Sequence, residues 1–173
     1  ACLDNRIKGK PASIVSYGSY FDFGDSLEFS ITGKCSDGKK DYHLDPHDWG
    51  RMVFFYNYLK YVDEPCNIDK VHEYLFDQII NDGENSKNLY RSFSDEDKNF
   101  VNTILFEKNE KALKIMKKTL EKIKPIVMPL SPANFIDKID FPIYMMHGAK
   151  DNMIPFTETF KFANELKLRG KKV

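Results

Sequence analysis

The chain has 173 residues, of which 42% are hydrophobic and 30% charged, a balance that is typical of a globular domain and excludes a disordered one. Lys and Arg together number 26, as do Asp and Glu, so the charge balance gives no reason to expect nucleic acid or an anionic membrane as a partner. No run of about 18 apolar residues occurs, and the first ten residues lack the apolar core of a secretory signal, so neither a membrane span nor a signal is predicted.

The three cysteines, Cys2, Cys35 and Cys66, are odd in number and far apart in the sequence. This pattern predicts free thiols in a reducing compartment such as the cytoplasm, with a Cys35–Cys66 disulfide as the open alternative. The sequence does not begin with Met, and we therefore expect it to be a piece of a longer protein.

The first predicted element is a buried strand over Ala12–Tyr17, a β-branched and apolar run between a proline and a glycine. A loop and a short helix near Ser26–Thr32 follow, and Asp37-Gly38 marks a polar turn. The run Asp45–Asp48 then predicts a helix start, because it combines a capping side chain, a proline and an acid.

Four helices are predicted between residues 49 and 125. The first is apolar on nearly all sides, which predicts that it is buried on most faces or covers an apolar cavity. The second covers residues 67–80, residues 82–89 form a polar break, and the third and fourth begin at the capping residues Ser94 and Asn109.

The last segment is predicted to alternate between strands and helices. A short helix over 131–138 precedes a buried strand, Phe141–His147, then a loop and a helix over 156–168 in which Phe160, Ala163 and Leu166 face inward. Residues 171–173 resemble the start of another strand. A strand, a helix and a strand in succession favour a parallel sheet with helical crossovers, in which Ala12–Tyr17 and Phe141–His147 are neighbours.

One string of residues carries a resemblance to a known family. Ser131-Pro132, Pro142, an apolar strand, His147-Gly148, Asp151 and Pro155 occur in this order and spacing, and a helix follows. The string resembles the late part of the α/β-hydrolase fold. The resemblance implies an α/β fold class, namely a fragment of a hydrolase parallel sheet, with core segments at residues 1–25 and 129–173 and a large, mostly helical lid at 26–128.

In that family, the acidic residue after this strand belongs to a Ser–Asp–His triad, so the resemblance implies that Asp151 is the triad acid. A carboxylate just past the carboxyl end of a parallel strand can fix the tautomer of a histidine and stabilise its protonated form. The alternative is that Asp151 only caps the turn before the next helix.

The other two members of such a triad are expected outside these residues. No G-x-S-x-G occurs in the sequence, and the family order Ser…Asp…His places the serine before Ala1 and the histidine after Val173. We therefore expect the parent protein to be a serine hydrolase of esterase type, acting on an apolar ester-like small molecule, and the chain alone to be inactive. The alternative is a non-catalytic binding or scaffolding protein with the same architecture.

Several residues within the chain have more than one interpretation. Trp49, Phe54 and Tyr58 fit a helical core and also fit a lid surface that selects an apolar acyl or alcohol group. The H-L-D-P-H run (residues 43–47) is better explained by helix capping than by a metal site. Ser19 lacks the second glycine of a nucleophile elbow, and the resemblance gives His147 a structural place near the site.

No cofactor or metal is predicted. The expected parallel strands lack a partner strand and a cover, so we also expect the chain to self-associate.

Overall fold

The computed structural model describes residue 6 and residues 11–173. The chain divides into two compact units. The first unit contains the described part of residues 1–26 together with residues 34–44 and 126–173, and the second contains residues 27–33 and 45–125. The lid boundaries at 26 and 128 stay a prediction.

The first unit is built on two parallel strands, β1 (Ile14–Tyr17) and β4 (Ile143–Met146). Ile14 lies opposite Ile143, and the two strands keep this register to their carboxyl ends. The predicted neighbours are therefore paired. The described residues show this two-stranded parallel pair and one hairpin, and not the wider parallel sheet of a hydrolase.

One face of this pair packs on the helix α7 (Thr157–Leu168) and on the segment before β4. Side chains alternate between the two faces of a strand, so Ile14, Ile143 and Met145 join this core. The core also contains Ile136, Ile139, Phe141, Phe162 and Leu166. The prediction for α7 was wrong at Phe160, which is 52% exposed, because Phe162 and Leu166 provide the buried stripe.

The predicted polar turn at Asp37-Gly38 joins two short antiparallel strands that the sequence did not indicate, β2 (Lys34–Ser36) and β3 (Asp41–His43). The Asp37 carboxylate accepts the backbone N–H groups of Lys39 and Lys40, both at 2.8 Å. Side-chain bonds of this kind stabilise a tight turn, and the ladder forms across it.

The expected strand at residues 171–173 is not formed. The backbone N–H of Ile143 nevertheless donates to the carbonyl of Lys172 at 3.3 Å, on the edge of β4 that does not pair with β1. The short helix expected at 131–138 is the 3₁₀ helix Pro132–Lys138.

Helices make up the second unit. They are α2 (Trp49–Tyr58), the 3₁₀ helix Leu59–Tyr61, α3 (Ile68–Ile80), α4 (Ser86–Arg91), α5 (Asp95–Val101), the π-helical Asn102–Glu107 and α6 (Glu110–Val127), whose last two residues belong to the first unit. The helix α1 (Phe23–Thr32) has residues in both units. The helix α4 lies in the predicted polar break.

The predicted helix starts at Asn67, Ser94 and Asn109 are confirmed, whereas the capped start predicted over Asp45–Asp48 is wrong, because α2 begins at Trp49 without a side-chain cap. Ser94 and Asp97 form a capping box at α5, Asn67 accepts the N–H of Lys70 at 3.1 Å, and Asn109 accepts that of Ala112 at 3.0 Å. These side chains satisfy N–H groups that a helix start leaves without a partner. At α2, Asp48 makes no such cap and pairs with the buried Arg51 instead.

None of the helices in the described part of the chain is long and apolar enough to cross a membrane.

Candidate active site

Asp151 lies in the loop that follows β4, within the first unit. Its own N–H donates to the carbonyl of Gly148 at 3.0 Å, which closes a turn directly after the strand. Its Oδ1 atom accepts two backbone N–H groups, from Met153 at 2.9 Å and from Ile154 at 3.0 Å. One carboxylate oxygen is therefore used to build the loop.

The other oxygen of Asp151, Oδ2, accepts no backbone N–H in the described residues. The side chain is 28% exposed, and Nε2 of His147 lies 3.4 Å from Oδ2. A carboxylate oxygen has two lone pairs, so Oδ2 can accept a further hydrogen-bond donor. The two interpretations of Asp151 are thus compatible in the geometry: Oδ1 caps the turn, and Oδ2 is available to orient an imidazole.

Gly18, at the carboxyl end of β1, forms one wall beside Oδ2. Its N–H donates to the carbonyl of Met146 at 2.9 Å, which continues the pairing of the two strands. Its φ is +60°, and a Cβ at this position would lie 3.4 Å from Oδ2 of Asp151. A glycine is suited to this position because it adopts the left-handed conformation easily and leaves the carboxylate uncrowded.

His147 also lies close to the carboxylate, and its side chain is nearly fully buried. Its Nε2 atom is 2.9 Å from the carbonyl oxygen of Ile154, and its Nδ1 atom is 2.7 Å from the hydroxyl of Thr159. A carbonyl only accepts, so Nε2 carries the proton and the neutral Nδ1 accepts from Thr159. Both ring nitrogens are engaged, so neither is left to take a proton from a nucleophile.

The residues predicted for a lid lie in the second unit. Phe54 is almost fully buried and packs against Phe55 and Tyr58, with ring centroids 5.1 and 5.5 Å apart. Trp49, the first residue of α2, is 42% exposed. A cleft of about 550 Å³ in this unit is lined by other residues, among them Tyr74, Tyr90, Asn102 and Phe106.

Two other sequence candidates can be placed. The hydroxyl of Ser16 donates to that of Ser19 at 2.7 Å, so Ser19 is held in the loop after β1 by a neighbouring serine. Within residues 6 and 11–173, no group of three His, Cys, Asp or Glu side chains is arranged to hold a metal ion. Cys35 and Cys66 are free thiols, so the alternative of a disulfide between them was wrong. Cys2 lies outside the described residues.

The sequence did not mark two residues of this unit, Gly18 and Glu158, as part of the site. The sequence marks Gly18 only as the end of a strand, although its positive φ and its approach to Oδ2 are what matter at the site. Glu158 resembles an ordinary acid in the first turn of a helix, but its side chain is buried and accepts backbone N–H groups from the loop after β1. No local signal marks either contact, because the partners are more than 130 residues apart.

Comparison with known proteins gives one match. The model of the family BD-FAE, a family of α/β-hydrolase-fold esterase-like domains, matches residues 92–166. Neither the search of curated proteins nor that of solved structures finds a match. The matched range covers less than half of the chain and includes Asp151 with its loop. It supports the α/β-hydrolase class for this chain.

Proposed function

We propose that Asp151 is the acid of a Ser–Asp–His triad in a serine hydrolase that acts on a carboxylic ester or a related acyl substrate. The serine and the histidine would come from parts of the protein outside these 173 residues. The observation that carries the proposal is the difference between the two oxygens of one partly exposed carboxylate: Oδ1 accepts two N–H groups of its own loop, and Oδ2 accepts neither of them and can take a further donor. The match to esterase-like domains supports the same reaction class.

The proposed chemistry follows from this geometry. The open oxygen would accept the N–H of the catalytic imidazole, hold the tautomer that can receive the serine proton, and stabilise the imidazolium that results. Because Oδ1 is fixed by two N–H groups, the carboxylate is oriented before a histidine approaches it. Such preorganisation is what a triad acid contributes.

The test uses the full-length protein and a fluorophosphonate probe. We expect the probe to label the protein covalently, and a folded full-length protein that is not labelled would exclude the serine hydrolase. Asp151→Asn should lower kcat by about 10⁴-fold, because the amide favours the wrong histidine tautomer. The Asn oxygen can still accept the two N–H groups at Oδ1, so the loop should keep its fold. Asp140→Asn, at an exposed acid in the same unit, is the matched control and should leave turnover unchanged.

The second candidate is a binding or scaffolding protein that keeps the architecture without catalysis. The two N–H groups that Oδ1 accepts support this candidate, because capping of the turn would by itself explain an aspartate at position 151. An absence of labelling, together with a folded full-length protein, would select this candidate. Under either proposal, the 173-residue chain alone should have no esterase activity, since an orienting acid has no reaction of its own to perform.

We propose further that the helical block acts as a lid that selects an apolar group of the substrate. Trp49 is the better candidate for contact with substrate because it is partly exposed, whereas Phe54 is buried among other rings. Trp49→Ala in the full-length protein should change the preference between short and long acyl esters. An unchanged preference would remove Trp49 from the binding surface.

The outer face of the strand pair supports the proposal of self-association. Its four large apolar side chains are exposed by more than half: Val15 64%, Tyr17 75%, Tyr144 60% and Met146 54%. Taking about 150–250 Å² for a large side chain, they expose roughly 500 Å² per copy. A pair of copies would then bury about 1,000 Å², the lower limit of a specific interface.

Sedimentation equilibrium of the 173-residue chain tests this surface. We expect a dimer that Tyr17→Ser with Tyr144→Ser converts to a monomer, while Leu168→Ser, at another exposed apolar residue, leaves it dimeric. A wild-type chain that is monomeric at high concentration would contradict the proposal.

A further inference from the structure

The carboxylate of Glu158 is buried in the first unit, with 1% of the residue exposed. Its Oε2 atom accepts two backbone N–H groups, from Phe21 at 3.1 Å and from Asp22 at 2.8 Å. Its Oε1 atom accepts from the ammonium of Lys161 at 2.9 Å. A buried charge requires such partners, so these three contacts account for the presence of an acid at this position.

The two N–H groups belong to the loop that connects β1 to α1. Further contacts hold the end of this loop and the start of α1: the carbonyl of Phe21 accepts from the N–H of Ala133 at 3.1 Å, and the N–H of Phe23 donates to the hydroxyl of Ser131 at 2.9 Å. The ring of Phe21 also stacks on that of Phe162, with centroids 5.2 Å apart.

Lys161 completes the link. Its ammonium bonds to Asp25 at 2.6 Å as well as to Glu158. Burial opposes the charge of Lys161, but the bonds to Asp25 and Glu158 outweigh it and raise the pKa of Lys161. The helix that follows the Asp151 loop is thus bonded to the segment that follows Gly18.

We propose that Glu158 is a positioning residue, which holds the loop after β1 so that Gly18 stays against the Asp151 carboxylate and Oδ2 keeps an open approach. The proposal rests on the proposed role of Asp151. Both strand ends contribute to the site, and Glu158 joins the segments that follow them. Its removal would leave two backbone N–H groups buried without an acceptor, and the loop would move to satisfy them.

The test is a double-mutant cycle in the full-length protein, with hydrolysis of p-nitrophenyl acetate as the readout. Glu158→Ala should lower kcat by about 10- to 100-fold with little change in KM, because it misplaces a group that acts in the transition state. In the Asp151→Asn background the same change should have little further effect. Additive losses would overturn the proposal, since Glu158 would then not act through Asp151.

Two further variants separate positioning from folding. In Glu158→Gln the amide oxygen can replace Oε2 as the acceptor of the two N–H groups. The NH₂ group of the glutamine then faces the ammonium of Lys161, and both groups are donors. Adding Lys161→Met to Glu158→Gln removes that conflict. We expect the double variant to recover most of kcat. Glu165→Ala, at a glutamate of the same helix that pairs with Arg169, is the matched control. A double variant that folds and stays as slow as Glu158→Ala would contradict the proposal.

Amide hydrogen exchange and fluorophosphonate labelling together show whether the role proposed for Asp151 or the one proposed for Glu158 is wrong. Phe21 and Asp22 should exchange faster in Glu158→Ala than in the wild type, whether or not the protein is an enzyme. If the wild type is not labelled by a fluorophosphonate, the role of Asp151 fails. If it is labelled and the cycle is additive, only the role of Glu158 fails.

Discussion

His147 and Asp151 lie with Nε2 and Oδ2 3.4 Å apart, yet the imidazole proton is directed at the carbonyl of Ile154, 2.9 Å from Nε2. The pair therefore resembles a catalytic dyad in its composition only. His147 joins the loop to α7 through Thr159, and the carboxylate keeps an oxygen for another donor.

The tautomer of His147 is a direct prediction. Long-range ¹⁵N–¹H spectra should show that the neutral form of His147 carries its proton on Nε2 and none on Nδ1. The exposed His72, which stacks on Tyr56 with centroids 4.3 Å apart, is the control and should exchange its ring proton quickly. A protonated Nδ1 in neutral His147 would contradict the hydrogen-bond assignment.

Gly18→Ala should destabilise the chain by about 1–2 kcal/mol, because an L-residue is strained at a φ of +60°. Urea denaturation measures the change. Gly38→Ala is the matched control, since its φ is +85° and no atom lies within 4 Å of the added Cβ. Both variants should be less stable, but only Gly18→Ala should slow fluorophosphonate labelling of the full-length protein. Equal labelling rates for Gly18→Ala and Gly38→Ala would show that a Cβ at position 18 does not affect Oδ2 of Asp151.

The hydrogen bonds of the Asp77 carboxylate predict that the stability of the helical unit depends on pH. The hydroxyl of Ser86 donates to its carboxylate at 2.6 Å, and this bond, with those from Asn81 and Asn85, lowers the pKa of Asp77. A lowered pKa in the folded state contributes stability above the unfolded value of about 3.9, and the contribution is lost as the pH falls through the folded pKa.

Asp77→Asn should therefore lower the urea midpoint at pH 7, and the difference from wild type should shrink below about pH 4. Asp69→Asn, at an exposed acid of the same helix, is the control. A difference between Asp77→Asn and wild type that is the same at pH 7 and pH 3 would contradict the assignment.

Cys66 should react slowly with iodoacetamide. Burial, with smaller effects of Asp97 and Glu64, raises the pKa of the Cys66 thiol to about 11. The thiolate fraction at pH 8 is then roughly 100-fold below that of an ordinary cysteine, and the thiolate is the reactive form. Peptide mapping should show the protection in the folded chain and its loss in urea. Rapid alkylation of folded Cys66 would contradict it.

Much of the local structure could be predicted from the sequence. The strands at 14–17 and 143–146 are apolar runs between breakers, and Ser94, Asn67 and Asn109 are capping residues whose effect is confined to the next turn. The short elements β2, β3 and α4 were not predicted. They are too short to show a periodic pattern, and their formation depends on contacts with neighbouring segments.

The sequence by itself determined the two strands and the loop that carries Asp151, because these depend on patterns within a few residues, and the order of strands and helices predicted the parallel pairing. Only the tertiary structure decided which oxygen of Asp151 is open, that both nitrogens of His147 are engaged, and that Glu158 holds the loop after β1. Packing of distant parts of the chain sets the distances in these contacts, so a local sequence pattern does not specify them.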